Sequence, residues 1–195
     1  MNSQCSFGII AVTLLIALPM TLHAGTPGQN SNIGLKLALG TGNQSPSNAQ
    51  NLQKGGFTSL SLGYGITQTL SLWLGAGASE NYDKDIPDYK STIAGVELGL
   101  QYKMRPYQKL RPYGRVGLGG FVRHDNTPDV SFAGGGVTWA LGGEYRLARF
   151  LTVGAEFFWK DIDYSERQVG EGDFVELDQP VHGNTNGFLV TFTLH

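Results

Sequence analysis

The stretch VTWALGGEYRLARFLTVGAEFFWK, residues 137–160, decides how the rest of the chain is read. Every second residue of its first half is apolar or small: Val137, Trp139, Leu141, Gly143, Tyr145 and Leu147. After Ala148, Arg149 and Phe150 the pattern resumes with Leu151, Val153, Ala155, Phe157 and Trp159. The complementary positions are Thr138, Ala140, Gly142, Glu144 and Arg146, then Thr152, Gly154, Glu156, Phe158 and Lys160. A period of two, held for about ten residues on each side of a short connection, predicts a β-hairpin with one apolar face. About ten residues tilted at about 45° is also the length of a strand that crosses a bilayer. The hairpin therefore asks whether its apolar face meets lipid or a soluble core.

The same alternation recurs outward in both directions. Upstream, Ile33, Leu35, Leu37 and Leu39 share a face, as do Thr58, Leu60, Leu62, Tyr64 and Ile66. Leu70, Leu72, Leu74, Ala76 and Ala78 form a third run, and Ala94, Val96, Leu98, Leu100, Tyr102 and Met104 a fourth. In the fifth, Val116, Leu118 and Val122 oppose Tyr113, Arg115, Gly117, Gly119 and Arg123; downstream, Phe188, Val190, Phe192 and Leu194 make the last. Polar segments up to Lys54, over Glu80 to Ser91, His124 to about Ser131, and Asp161 to Asn186 read as long loops that alternate with short turns. The expectation is an all-β chain: an eight-stranded antiparallel up-and-down transmembrane β-barrel, with the short turns and both termini on the periplasmic side.

The N-terminus is set apart from that barrel. Phe7 to Met20 is an apolar run too short for a spanning helix, which needs about 20 residues. Ala24 with Leu22 two before it resembles a signal-peptidase site, so residues 1–24 are expected to be an export signal and residues 25–195 the barrel domain. The one cysteine of the 195 residues, Cys5, falls inside the signal. An exported chain without it has no disulfide, CxxC or thiolate metal chemistry. A formal net charge of −2 gives no support for nucleic-acid binding.

A soluble eight-stranded barrel would turn the apolar face inward and present the other face to water. That other face carries Gly34, Gly40, Gly63, Gly75, Gly95, Gly99, Gly117, Gly119, Gly142 and Gly154, where a water-facing strand would carry Lys and Glu. It suits a narrow lumen. The outward aromatics fall at two heights: Tyr64, Tyr102 and Tyr145 near one end, Trp139 and Trp159 near the other. Two such belts are the aromatic girdles of a membrane barrel. Trp73 and Phe158 have inward parity and must be accommodated in the lumen.

The motifs KLRPYGRVGLG (109–119), FAGGG (132–136), GEYRL (143–147) and FWKDID (158–163) resemble the small outer-membrane β-barrel family that includes the OmpA transmembrane domain and the OmpW proteins. The resemblance covers essentially the whole exported chain. It implies the bacterial outer membrane as location and, as partners, membrane lipid, lipopolysaccharide and the barrel-assembly machinery, with a surface ligand at the loops also open. Family barrels usually end on an aromatic residue, whereas this chain ends Phe192-Thr-Leu194-His195.

The lumen face also carries the charges Lys36, Glu97, Lys103, Arg115, Arg123, Glu144, Arg146, Glu156 and Lys160. Buried charges need partners; Glu97 and Arg115 lie on adjacent strands, and Glu144 and Glu156 are diagonal neighbours that need cations. This network is read as a structural plug, or alternatively as the gate of a narrow channel for small ionic or hydrophobic molecules. The segment 161–186 holds Asp161, Asp163, Glu166, Glu171, Asp173, Glu176 and Asp178 against Arg167 alone, −6 in all, and matches no calcium motif. His124, Asp125 and Ser131 lie near each other at the outer rim but follow no nucleophile–base pattern. His182 and His195 are read as solvated. The expected function is a structural, surface-interacting barrel, without enzymatic activity, cofactor or metal.

Overall fold

The computed structural model describes residues 32–47, 52–83, 85–86 and 88–195. The expected export signal, with Cys5, lies outside the described residues. Eight strands follow in order: β1 (Gly34–Ser47), β2 (Gly55–Gly65), β3 (Leu70–Tyr82), β4 (Lys90–Lys103), β5 (Leu110–Asn126), β6 (Asp129–Arg146), β7 (Leu151–Val169) and β8 (Val175–Leu194). Each pairs antiparallel with its neighbours in sequence. The ring then closes: β8 pairs with β1 from Leu37 opposite Leu194 to Ser47 opposite Asn184. Closure leaves no open sheet edge over that height, which a lipid environment requires.

Short turns join β2 to β3, β4 to β5 and β6 to β7 at one end, hereafter the turn end. In the first of them Thr67 Oγ1 accepts hydrogen bonds from the backbone N–H groups of Thr69 and Leu70, at 3.2 and 2.9 Å, a side-chain clamp that fixes a tight reversal.

The two faces are assigned by exposure. Leu39, Leu98, Leu118 and Leu141 are 54–67 % exposed, and the whole outward set of leucines, valines and aromatics is unburied. A soluble barrel would have these side chains inside; a contiguous apolar surface of this extent fits lipid contact. On β7 the outward apolar residues run from Leu151 to Trp159 and stop at Asp161. At about 3.3 Å per residue and 35–45° of tilt this spans roughly 20 Å, close to the ~25 Å band of a membrane barrel.

The strands are longer than the alternation of apolar residues indicates. Each polar segment expected to be a loop is partly strand: β1 runs to Ser47, β3 to Tyr82, and Asp161–Val169 and Val175–Asn186 extend the last two strands. The third of those loops, expected over 124–131, is a tight hairpin in which Asn126 faces Asp129. Backbone pairing continues beyond the apolar band because water outside replaces the need for apolar side chains there. The inward positions still alternate, through buried Ser79, Asn81 and Ser91 on one side and Ile162 and Tyr164 on the other.

As a result β5–β8, with 17 to 20 residues each, stand above β1–β4, with 11 to 14. Among the described residues β8 has no β1 partner above Asn184. That edge is interrupted by Pro180, which has no N–H, and by a register shift opposite Tyr164–Glu166. Both features hinder edge-to-edge pairing with another chain.

Inward glycines give space to inward rings. Gly63 lies opposite Trp73, Gly95 opposite Phe121, Gly142 opposite Tyr113 and Gly187 opposite Phe158. A Cβ at Gly63 or Gly142 would stand 2.7 Å from the facing ring. This is how Trp73 and Phe158 fit the lumen: each lies over the backbone of its partner strand, at 7 % and 2 % exposure.

Candidate functional site

The lumen collects the chemistry, in three tiers fixed by the register. Nearest the turn end, Glu144 on β6 accepts from Lys103 Nζ on β4 at 2.7 Å and from Arg111 Nη2 on β5 at 2.9 Å. Arg111 Nη2 also donates to Thr152 Oγ1 at 3.3 Å, and that hydroxyl lies 2.8 Å from His195 Nε2. Lys36 on β1 donates to Ser71 Oγ at 3.0 Å and to Asn32 Oδ1, and its ammonium lies 5.9 Å from the Trp73 ring centroid. Arg146, half-buried and level with Thr152, completes the inward cations at this end.

In the middle tier Glu156 accepts from Arg115 and, at 3.0 Å, from the Tyr113 hydroxyl. Trp73 Nε1 donates to Gln101 Oε1 at 2.6 Å. Above it, Lys160 pairs with Glu97 while its ammonium lies 5.0–5.4 Å from the ring centroids of Phe121, Phe57 and Phe158. Cation–π contact of this kind gains most where water is excluded. Phe57, Ala140, Phe158 and Leu189 form an apolar collar around it. The free space left between these tiers is a cavity of about 70 Å³, bounded by Ala38, Gly75 and Thr191 on one wall and Arg115, Glu156 and Lys160 on the other. It has room for a few waters.

The upper tier is held by Arg123. It pairs with Asp125 at 2.7 and 2.9 Å, donates to Ser91 Oγ at 3.2 Å and to the Tyr89 hydroxyl at 3.3 Å, and lies 5.9 Å from the Phe132 ring. Tyr89 sits in the loop before β4, where burial, and then the nearby Asp125 carboxylate, raise its phenol above the ordinary value. It remains a neutral hydroxyl at physiological pH. Phe121, Ile162, Tyr164 and Phe132 pack beside this tier.

All nine expected lumen charges occupy inward positions, but the partners differ from those the strand order suggests. Arg115 faces Gln101 across β4–β5, and Glu97 faces Gly119, four residues further along. That offset sends Arg115 to Glu156 and Glu97 to Lys160, both across the lumen. Glu144 and Glu156 are diagonal neighbours, opposite Gly154 and Gly142. Arg111 is a full member of the network and absent from the expected set; its parity with Tyr113 and Arg115 was the available signal, masked by Pro112 and the adjoining turn. His195 is also no solvated residue, being held by Thr152.

The outward aromatics Tyr64, Tyr102, Tyr145, Trp139 and Trp159 are 41–55 % exposed, and Trp139 lies directly opposite Trp159. Far above them, the rim residues separate. Asp125 points inward to Arg123, while His124 faces outward with Ser131. His124 Nδ1 lies 3.0 Å from Ser131 Oγ and 3.8 Å from Asp129 Oδ1. A catalytic triad needs the carboxylate and the hydroxyl on different ring nitrogens; here both meet one. His182 pairs with Asp163 on the same exposed sheet. Among the described residues no cluster of His, Cys, Asp and Glu has the geometry of a metal site.

A closed eight-stranded ring with leucines outside and ion pairs inside meets a matching family model, the outer membrane protein beta-barrel domain, over residues 10–194. The chain belongs to that family. Its place is the bacterial outer membrane, and the turn end is the periplasmic end. Among solved structures it is similar to Neisserial surface protein A, at 13 % identity and a TM-score of 0.65, covering 82 % of this chain and 96 % of that one. It also matches Ail of Yersinia pestis, at 10 % identity and a TM-score of 0.49 over 83 % and 99 % of the two chains. The N-terminal barrel of Pseudomonas aeruginosa OprF aligns at 14 % identity and a TM-score of 0.44 over 81 % and 96 %. At such identities the likeness concerns the fold. No curated protein sequence matches the chain.

Proposed function

We propose that this outer-membrane barrel is a structural and surface-interacting component whose lumen is closed, and that it is not an enzyme. The observation that carries this reading is the stack of ion pairs and rings across the lumen. Lys103–Glu144–Arg111, Arg115–Glu156, Lys160–Glu97 and Arg123–Asp125 succeed one another along the axis with only about 70 Å³ between them. Such buried pairs hold their geometry because breaking one leaves an uncompensated charge. The outward tyrosines and tryptophans act as girdles at the two lipid interfaces. Membrane lipid and lipopolysaccharide are the partners of the apolar band, and the assembly machinery of the outer membrane inserts it. The sheet of β5–β8 that stands above the band is the surface open to a ligand outside the cell.

Liposome swelling tests the closed lumen. Proteoliposomes containing the barrel are expected to swell in small sugars and in small apolar alcohols no faster than empty liposomes. Faster swelling would favour the narrow-channel reading instead.

A further inference from the structure

We propose that the outer wall of the barrel at β6–β8 binds an uncharged sugar ring of an outer-leaflet glycolipid, seated on Trp139 and Trp159 and held by Asn184 and Asn186. A single row of cross-strand partners carries the site. From Leu35 on β1 it passes Tyr64 on β2, reaches Trp139, Trp159 and Asn186 on β6, β7 and β8, and returns to β1 at Ser45. Ser45 stands above Leu35 on the same strand, so the row climbs, and each step from β6 to β8 rises toward the outside. Along that climb the outward side chains change from leucine through tryptophan to asparagine and serine. One row higher, Asp161 lies opposite Asn184; one row lower, Phe157 lies opposite Phe188. The tryptophans therefore stand where hydrocarbon gives way to headgroups, the level at which indoles are placed in a membrane.

An open recess lies among Trp139, Trp159, Asp161, Asn184 and Asn186. Lys160 and Thr185 also border it, but their side chains are buried toward the lumen. Phe157 packs T-shaped on Trp159 with ring centroids 4.6 Å apart, which fixes that indole. An indole face is apolar and electron-rich, and the C–H groups on one face of a pyranose are apolar and electropositive, so the two stack. The hydroxyls around the sugar rim need both donors and acceptors, and an amide supplies both. Charge decides against a phosphate headgroup. From Trp139 to Ser45, and in the row above, no Lys or Arg faces outward, whereas Asp161 borders the recess. A negative group there would be repelled. Position decides between a glycolipid and a free glycan. Phe157 and Phe188 continue the apolar wall below the recess, where the acyl chains of a glycolipid lie and a free glycan has nothing to offer.

The site rests on the outer-membrane placement of the barrel and not on a closed lumen, which liposome swelling tests separately. The full barrel, labelled with 5-fluorotryptophan and set in phosphatidylcholine nanodiscs, gives a fluorine-19 signal for each of its 3 tryptophans, Trp73, Trp139 and Trp159. Trp139→Phe and Trp159→Phe assign them. Monoglucosyl diacylglycerol added to the discs is expected to shift the Trp139 and Trp159 signals saturably and to leave that of the buried Trp73 in place. Phosphatidylglycerol with the same acyl chains, and methyl glucoside in the surrounding water, are expected to leave all the signals unchanged. Asn186→Leu, with folding checked by heat-modifiable mobility, is expected to weaken the glycolipid response about fivefold, the worth of a lost hydrogen bond. The lipid comparison on the wild-type barrel decides independently of that variant. No shift with the glycolipid, or an equal shift with phosphatidylglycerol, overturns the sugar site. An equal shift with methyl glucoside overturns the glycolipid as its occupant, and an undiminished response in folded Asn186→Leu overturns the role of the amide.

Discussion

Glu144 is the residue on which the periplasmic tier turns. Its carboxylate pairs with both Lys103 and Arg111, and all three side chains are almost sealed from solvent. Glu144→Gln keeps the shape and removes the charge. Breaking a buried pair from one side costs about 3–5 kcal/mol, so the unfolding free energy obtained from a denaturant titration is expected to fall by that amount. The exposed pair Lys90–Glu80, at 2.7 Å on the outer sheet, is the control; its removal is expected to change stability by less than about 1 kcal/mol. A similar loss for both variants would contradict a sealed tier. The glycines make a second residue-scale case. Gly63→Val sets a side chain against the Trp73 ring and is expected to cost about 1–3 kcal/mol by overpacking. Equal unfolding midpoints for the variant and the wild type would contradict the close Gly63–Trp73 approach.

At the scale of elements, the alternation of Val137 to Lys160 was legible because lipid demands apolar side chains on one face throughout the band. Trp139 and Trp159 could be placed opposite each other from the length of the connection alone. The upper strands were not legible. Above Asp161 no lipid faces the sheet, so polar residues occupy strand positions and imitate a loop. Alternation persists there only on the inner side, in Ile162 and Tyr164 against Asp161 and Asp163. The lumen contacts were legible in membership but not in pairing. Parity put Arg115, Glu97, Glu156 and Lys160 inside, whereas their partners depend on how far each strand slides around the ring, which no single strand encodes. Since the apolar band and three tiers lie below it, the protruding tip of β7–β8 is expected to be dispensable for folding. Replacing residues 166–176 with a short Asn-Gly turn is expected to leave heat-modifiable mobility and outer-membrane fractionation unchanged. Loss of either would place part of the folding determinant in the tip.

For the molecule as a whole, the apolar residues and the charges have exchanged the places they hold in a soluble protein. Leucines cover the outside because the solvent there is hydrocarbon, and a stack of cross-lumen ion pairs takes the role of the core. Alternating residues on the same eight strands supply both faces, so the lipid contact and the plug are one design. The central consequence of the proposed closed lumen is an expected absence of conductance. The direct test is a planar-bilayer recording of the purified wild-type barrel in potassium chloride, over the range of voltages the bilayer tolerates. Lys160, held among Phe57, Phe121 and Phe158 and paired with Glu97, is expected to keep the recording at the baseline of the empty membrane. Discrete, reproducible open levels from the folded wild-type barrel would contradict a lumen closed by these pairs.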